Sequence, residues 1–320
     1  MVAGVREGEG SDWLVLRFVG KRILWMIPLL LGVTLMVFLI LHLTPGDPAA
    51  LMLGDAADQQ TIDMLRHDMG LDRPLAVQYL DFVWKALHGD LGTSTHSKRP
   101  VVAELKSRLP ATLELACSAL ILAAVIGITV GIVSAVKRYS TFDHAMMLTT
   151  LVFASMPSFW LGLILMLVFS VQLGWLPAVG RGGFSHLILP ALTLAATPAA
   201  LIARLTRSSM LDVVEEDYIR TAHAKGLSEE VVIWKHALKN AMIPIITVIG
   251  IQFGGMMGGS VVIESVFAWP GVGKLMVDSI LTKNYPVVQG GLLMMAVVVS
   301  LINLVVDVTY GLLDPRIRYE

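Results

Sequence analysis

The chain has 320 residues, 55% of them hydrophobic and 15% charged, and its mean hydropathy is +0.72. A soluble globular protein carries about a quarter charged residues, so the composition excludes an ordinary soluble domain and points to a polytopic membrane protein. The net charge of −1 gives no sign of nucleic-acid binding, and the single cysteine, Cys117, excludes an intrachain disulfide or a multi-cysteine metal site.

Residues 1–22 read as a cytoplasmic tail, mobile over its first fifteen or so residues and ending in Lys21 and Arg22. The apolar run that follows is too long for the h-region of a secretion signal and lacks a small-residue cleavage site. Crossing the hydrocarbon core takes about 20 apolar residues. Six segments qualify, at about 23–43, 112–136, 146–172, 187–205, 243–263 and 290–312, so the expected fold is all-α with six transmembrane helices. The first stands apart, 111–312 holds the other five as a core, and 313–320 forms a short C-terminal tail. The fourth segment contains Pro190 and Pro198, which a spanning helix tolerates when neighbours satisfy the freed backbone.

Lys and Arg set the orientation. Arg17, Lys21 and Arg22 precede the first span, Lys137 and Arg138 follow the second, a basic set from Arg204 to Lys239 follows the fourth, and Arg316 and Arg318 follow the sixth. The alternate connections carry only Arg181, or Lys274 and Lys283. Both termini and the 206–242 loop are therefore expected inside. The long segment 44–110 holds seven Lys/Arg and nine Asp/Glu; long segments translocate largely regardless of charge, so it is placed outside. Its apolar periodicity around Ile62–Leu65 and Val77–Leu87, punctuated by Gly54, Gly70 and Gly92, predicts short helices lying at the outer surface.

The 206–242 loop reads as helix, glycine, helix. Ser209 is a candidate cap for a first helix carrying Leu211, Val214, Tyr218 and Ala222, and Lys225–Gly226 suits its C-terminus. Ser228 is a candidate cap for a second helix, with Val231, Trp234, Leu238 and Ala241 on one apolar face. A helix end with an apolar face suits a groove in another subunit.

No enzyme site emerges. Walker A, G-x-S-x-G and H-E-x-x-H patterns are missing, the histidines are scattered, and neither a cofactor nor a metal is expected. One ionisable residue falls clearly inside a span, Asp307, with Asn303 a turn earlier; it reads as hydrogen-bonded within the bundle, with a gate or substrate contact as the alternative. Glu114 and Glu264 sit at span ends and are expected to be wet. The fifth span carries Gly250, Gly254, Gly255, Gly258 and Gly259, and the second carries Gly127 and Gly131, at spacings that let helix backbones approach closely. Gly254, Gly255 and Gly258, with Met257 and Asp307, are the candidate gate or pathway residues; static packing is the plainer reading. Trp269-Pro270-Gly271-Val272-Gly273 reads as a folded outer loop.

These residues carry a resemblance. Asp217, Tyr218, Arg220, Thr221, Ala222, Ala224, Lys225, Gly226 and Leu227, then His236, Leu238, Asn240 and Pro244, resemble the EAA loop of ABC importer permeases in its peptide and nickel branch. Further blocks match that branch in order: His42–Pro48, Gly70–Leu75, Gly89–Gly92, Arg108–Leu115, Leu173–Pro177, Phe267–Leu275, Asn284–Gly290 and Leu312–Arg318. The resemblance implies a type I importer permease in a bacterial inner membrane. It would transport di- or oligopeptides, or alternatively glutathione or nickel chelates. Implied partners are a homologous second permease, two ABC ATPases and a periplasmic or lipoprotein binding protein that docks on the 44–110 region. Glu216, Asp217, Arg220, Thr221, Ala222, Gly226 and Leu227 would couple to the ATPase, which alone would hydrolyse ATP. An ion-coupled secondary transporter would call for inverted repeats and several intramembrane charges. A membrane subunit of a redox assembly would call for His or Cys ligands within spans. The chain offers neither pattern.

Overall fold

The computed structural model describes residues 7–43, 49–50, 58–68 and 70–313. These residues are almost entirely helical, without a strand. Helix α1 (Glu7–Leu43) is followed by α2 (Gln59–Asp68), α3 (Leu75–Leu87) and α4 (Val101–Val136). Next come α5 (Thr141–Ser155) and α6 (Ser158–Leu165), the latter continued by a π-helical segment, Met166–Gln172. Then α7 (Phe184–Val214) leads to the short α8 (Asp217–Ala224). One long run follows: α9 (Glu229–Val231), a π-helical stretch Val232–Ala237, and α10 (Leu238–Val266). The described chain closes with α11 (Val272–Leu281) and α12 (Tyr285–Leu313).

Five helical runs are long and apolar enough to cross a membrane: α1, α4, α7, α9 to α10, and α12. The expected third span is instead a bent pair, α5 and α6, meeting at 107°. Pro157 is the cause: a residue before proline is pushed out of the helical region, and Met156 is extended at ψ 131. The N-terminal tail also differs from expectation, since α1 is helical from Glu7. Likewise α4 begins at Val101, inside the segment read as external. The readings made for residues 1–6, 44–48, 51–57 and 314–320, Gly54 among them, fall outside the described residues.

Glycine sets the closest helix approach. A β-carbon on Gly127 would lie 2.8 Å from the Ala199 carbonyl, and one on Gly131 would lie 2.7 Å from the Ala203 carbonyl and against Thr206. So α4 and α7 touch backbone to backbone. Gly250 faces Val306, and Gly254 faces the Asn303 amide oxygen at 2.8 Å, pinning α10 to α12. Helix α1 is peripheral and packs on α12, where Arg22 pairs with Asp307 at 2.8 Å. Asp307 is thus a tie between two helices, and Asn303 serves the α10 contact instead. Ile23, Leu24, Trp25, Ile27 and Leu29 of α1 are exposed, as suits a surface bathed in lipid.

Helix α3 lies along the side of α1 rather than across its top. Tyr79 donates its hydroxyl to the Leu31 carbonyl (3.1 Å), sits 3.0 Å from the Thr34 hydroxyl and meets Phe38 edge-on. Leu31 is 12 residues before the end of α1, about 18 Å at 1.5 Å per residue.

At the end that the charge pattern places outside, motifs far apart in sequence tie into one knot. Trp269, fully buried, donates its indole N–H to the Ala111 carbonyl at 2.8 Å. Glu264 overturns the expectation of a wet span end, for it is 0% exposed. It accepts from the Thr112 hydroxyl (2.7 Å) and from the Lys274 backbone N–H (2.9 Å). Gly271, the N-cap of α11, offers no side chain, so Glu264 supplies the missing acceptor and places negative charge at the helix N-terminus, where it is favoured. Gly271 packs directly on that carboxylate and has no room for a side chain. Glu114, by contrast, remains exposed and pairs with Arg181 at 2.5 Å. Nearby, Asn284 donates to the Ser94 hydroxyl (2.8 Å) and accepts from the Thr95 N–H (3.1 Å), joining the loop before α4 to the loop before α12.

Candidate functional site

The opposite end of the bundle carries the helix–glycine–helix element, with boundaries unlike those expected. Ser209 is no cap: α7 runs through it to Val214, and the chain breaks only at Glu215–Glu216. Glu216 is the extended N-cap residue of α8. After α8, Gly226 takes φ +77, the left-handed conformation that glycine adopts without steric cost. Its N–H donates to the His223 carbonyl at 2.9 Å. Ser228 does occupy the next N-cap position, though its side chain makes no capping bond.

The second helix is not separate from the fifth span; both belong to the α9 to α10 run. The apolar face also differs from the expected one. Val232, Ala237, Ala241 and Ile245 are buried, whereas Val231 and Trp234 are exposed. A π-helical turn adds a residue to the helical repeat. It brings Val232 and Ala237 onto one face, after which four-residue spacing resumes.

The coupling residues expected from the sequence divide into two groups. Glu216, Asp217, Arg220, Thr221 and Leu227 are exposed around α8 and its turn. Ala222 is not among them. It is 6% exposed and, with the buried Ile219, packs into this chain's own core. Its small size serves internal packing, so the expectation that it faces a partner is corrected. Arg220 and Asp217 pair with each other at 3.3 Å. Tyr218 accepts a 2.7 Å hydrogen bond from the Asn240 amide, joining the two halves of the motif across the turn.

Two further contacts brace this end, and the sequence reading had counted their basic members only as orientation signals. Asp143, 2% exposed, receives both the Nε and Nη2 hydrogens of Arg207 at 2.7 Å. The paired fork geometry fixes orientation as well as distance. Arg138 reaches Glu215, the residue at the break before α8, at 3.3 Å. The available sequence signal was an acid, Asp143, set among Lys137, Arg138 and Arg207.

The candidate gate residues do not form one site. Gly254 is occupied by its contact with Asn303, Asp307 by Arg22, and Met257 is fully enclosed in this chain's second apolar cluster. Gly255 and Gly258 face open space. With Ile251 and Val262 they form an exposed stripe on α10. A separate cavity of about 340 Å³ lies between α4, α5, α6 and α7. Its lining is apolar apart from Thr149 and Thr150, whose hydroxyls donate to carbonyls of their own helix. It offers nothing to hold a charged peptide.

Comparison with known proteins agrees with this architecture. Residues 127–319 match the family described as "Binding-protein-dependent transport system inner membrane component", and residues 15–116 match its N-terminal counterpart. The glutathione transport system permease protein GsiC of Salmonella typhimurium is 50% identical over 306 residues, covering 96% of this chain and all of the relative. GsiC of Escherichia coli K12 is 48% identical over the same coverage. Among solved structures, an inward-facing form of the MetNI methionine ABC transporter aligns with a TM-score of 0.58 at 20% identity, covering 66% of this chain and 96% of that one; at that identity the likeness speaks for the fold. Two family matches that together span most of the chain, and relatives near half identity along nearly its whole length, lead to one conclusion: the chain belongs to the binding-protein-dependent inner membrane components, the permease subunits of ABC importers.

Proposed function

We propose that this chain forms half of the translocation path of an ATP-driven importer whose cargo is glutathione. The observation that carries the cargo assignment is the 48–50% identity to glutathione permeases over 96% of this chain. It ranks glutathione above the di- and oligopeptides that the motif resemblance put first. In this reading a homologous second permease completes the path, a binding protein delivers cargo to the outer end and to the 44–110 region, and two ATPases dock inside. Both termini are cytoplasmic, following the basic residues. The exposed stripe of α10 around Gly255 and Gly258 faces the second permease or the path. Helix α8 enters the ATPase groove with Asp217, Arg220 and Thr221 outward, aimed by the left-handed turn at Gly226.

The test is uptake into proteoliposomes carrying the full complex, supplied with its binding protein. Radiolabelled glutathione should accumulate only with ATP inside the ATPase compartment, and unlabelled dialanine in excess should not compete. ATP-driven uptake of dialanine without uptake of glutathione would overturn the cargo assignment.

A further inference from the structure

We propose that Asp143 and Arg207 form a strut that makes α8 move as one body with α4, α5 and α7. The proposal rests on the reading of α8 as the ATPase-docking element. Asp143 lies in the first turn of α5, and Arg207 lies two turns before the end of α7. Their forked pair is nearly closed to solvent, with Asp143 at 2% and Arg207 at 23% side-chain exposure. The same carboxylate accepts the Tyr139 backbone N–H at 3.0 Å. Tyr139 has φ +61, a conformation costly for a tyrosine, so the loop from α4 to α5 is held in a shape it would not choose alone. Ser140 completes the corner by accepting the Asp143 N–H at 3.2 Å.

Three helix ends therefore converge on one carboxylate. Above it, α4 and α7 are already in backbone contact at Gly127 and Gly131. Below it, Arg138 contacts Glu215, and α8 begins two residues later. The α10 side offers a looser connection, since the Tyr218–Asn240 hydrogen bond is exposed. A displacement of α8 is accordingly delivered first to α4, α5 and α7. An arginine fork suits this task, because two parallel hydrogen bonds resist rotation as well as separation.

The experiment uses the assembled complex in nanodiscs, with Cys117→Ser in this chain and spin labels at Thr141→Cys and His223→Cys. The label-to-label distance is measured without nucleotide and after trapping with ATP and vanadate, and ATP hydrolysed per glutathione transported is measured alongside. With Asp143 and Arg207 intact, one narrow distance should persist in both states. Asp143→Asn should broaden it and raise the ATP-to-cargo ratio by about fivefold or more, the lower end of typical coupling energies; Asp143→Glu should restore much of both. A shift of the distance on trapping in the intact protein would show α8 moving independently and overturn the proposal. So would Asp143→Asn that leaves distance and ratio unchanged, or that only lowers the amount of complex. If the ATPases do not co-purify with the intact chain, the docking reading itself fails and the strut falls with it.

Discussion

Glu264 and Asp143 are both acids with almost no exposed surface, at 0% and 2%, yet the two ends of the molecule hold them in opposite ways. At the outer end Glu264 is satisfied by a threonine hydroxyl and by an amide at the start of α11. These partners are built into helices and cannot move unless α11 moves with them. At the inner end Asp143 is held by the long side chain of Arg207, across 64 positions of sequence. That pair is specific in geometry but can part and re-form without unwinding anything. One arrangement suits a fixed seal, the other a joint that bears force.

The comparison breaks most readily at the outer end. Glu264→Ala should strip Thr112 and the α11 N-terminus of their acceptor in a site with no water access, costing about 3–5 kcal/mol as for other broken buried networks. The expected result is a sharp fall in membrane abundance and in the thermal midpoint of the purified complex. A variant that accumulates and melts normally would show that the knot contributes little. At the inner end, Gly226→Val meets no atom within 4 Å, so only its φ of +77 matters. The strain should be about 1–2 kcal/mol, leaving abundance near normal while transport and ATPase association fail. Normal transport would reduce Gly226 to a local cap. Smallest of all is Arg138→Ala. Arg138 and Glu215 are 49% and 71% exposed, and such pairs contribute at most about 1 kcal/mol, so melting should barely change. A large loss there would mean that the loop from α4 to α5 carries more than its exposed ion pair.

Local signals were readable in the sequence, and long-range pairings were not. Hydropathy placed most spans because a bilayer demands length and apolarity of each helix separately. The turn at Gly226 was legible because glycine answers to the φ of its own residue. The break at Pro157 could have been suspected from the pre-proline rule, but neighbouring prolines such as Pro190 and Pro198 sit inside an unbroken helix, so proline alone does not decide. The fate of Glu264 depended on Thr112, 152 positions away, and that of Asp307 on Arg22. The face of the second coupling helix was misjudged because an α-helical repeat was applied across a π-helical turn. Ala222 was misplaced because a small residue serves an internal contact as readily as an external one.

The Arg22–Asp307 tie also fixes a matter of parity. Arg22 lies at the leading end of the span carried by α1, and Asp307 near the trailing end of the span carried by α12. For these two to touch, the chain must enter its first crossing and leave its last at the same face of the bundle, which demands an even number of crossings. Five runs cross unaided, so the bent pair α5–α6 must supply the sixth. The contacts at its ends agree: Asp143 starts it beside Arg207, while Gly180, just beyond it, donates to the Phe267 carbonyl in the outer knot. A single ion pair thus counts the crossings without reference to charge bias or hydropathy.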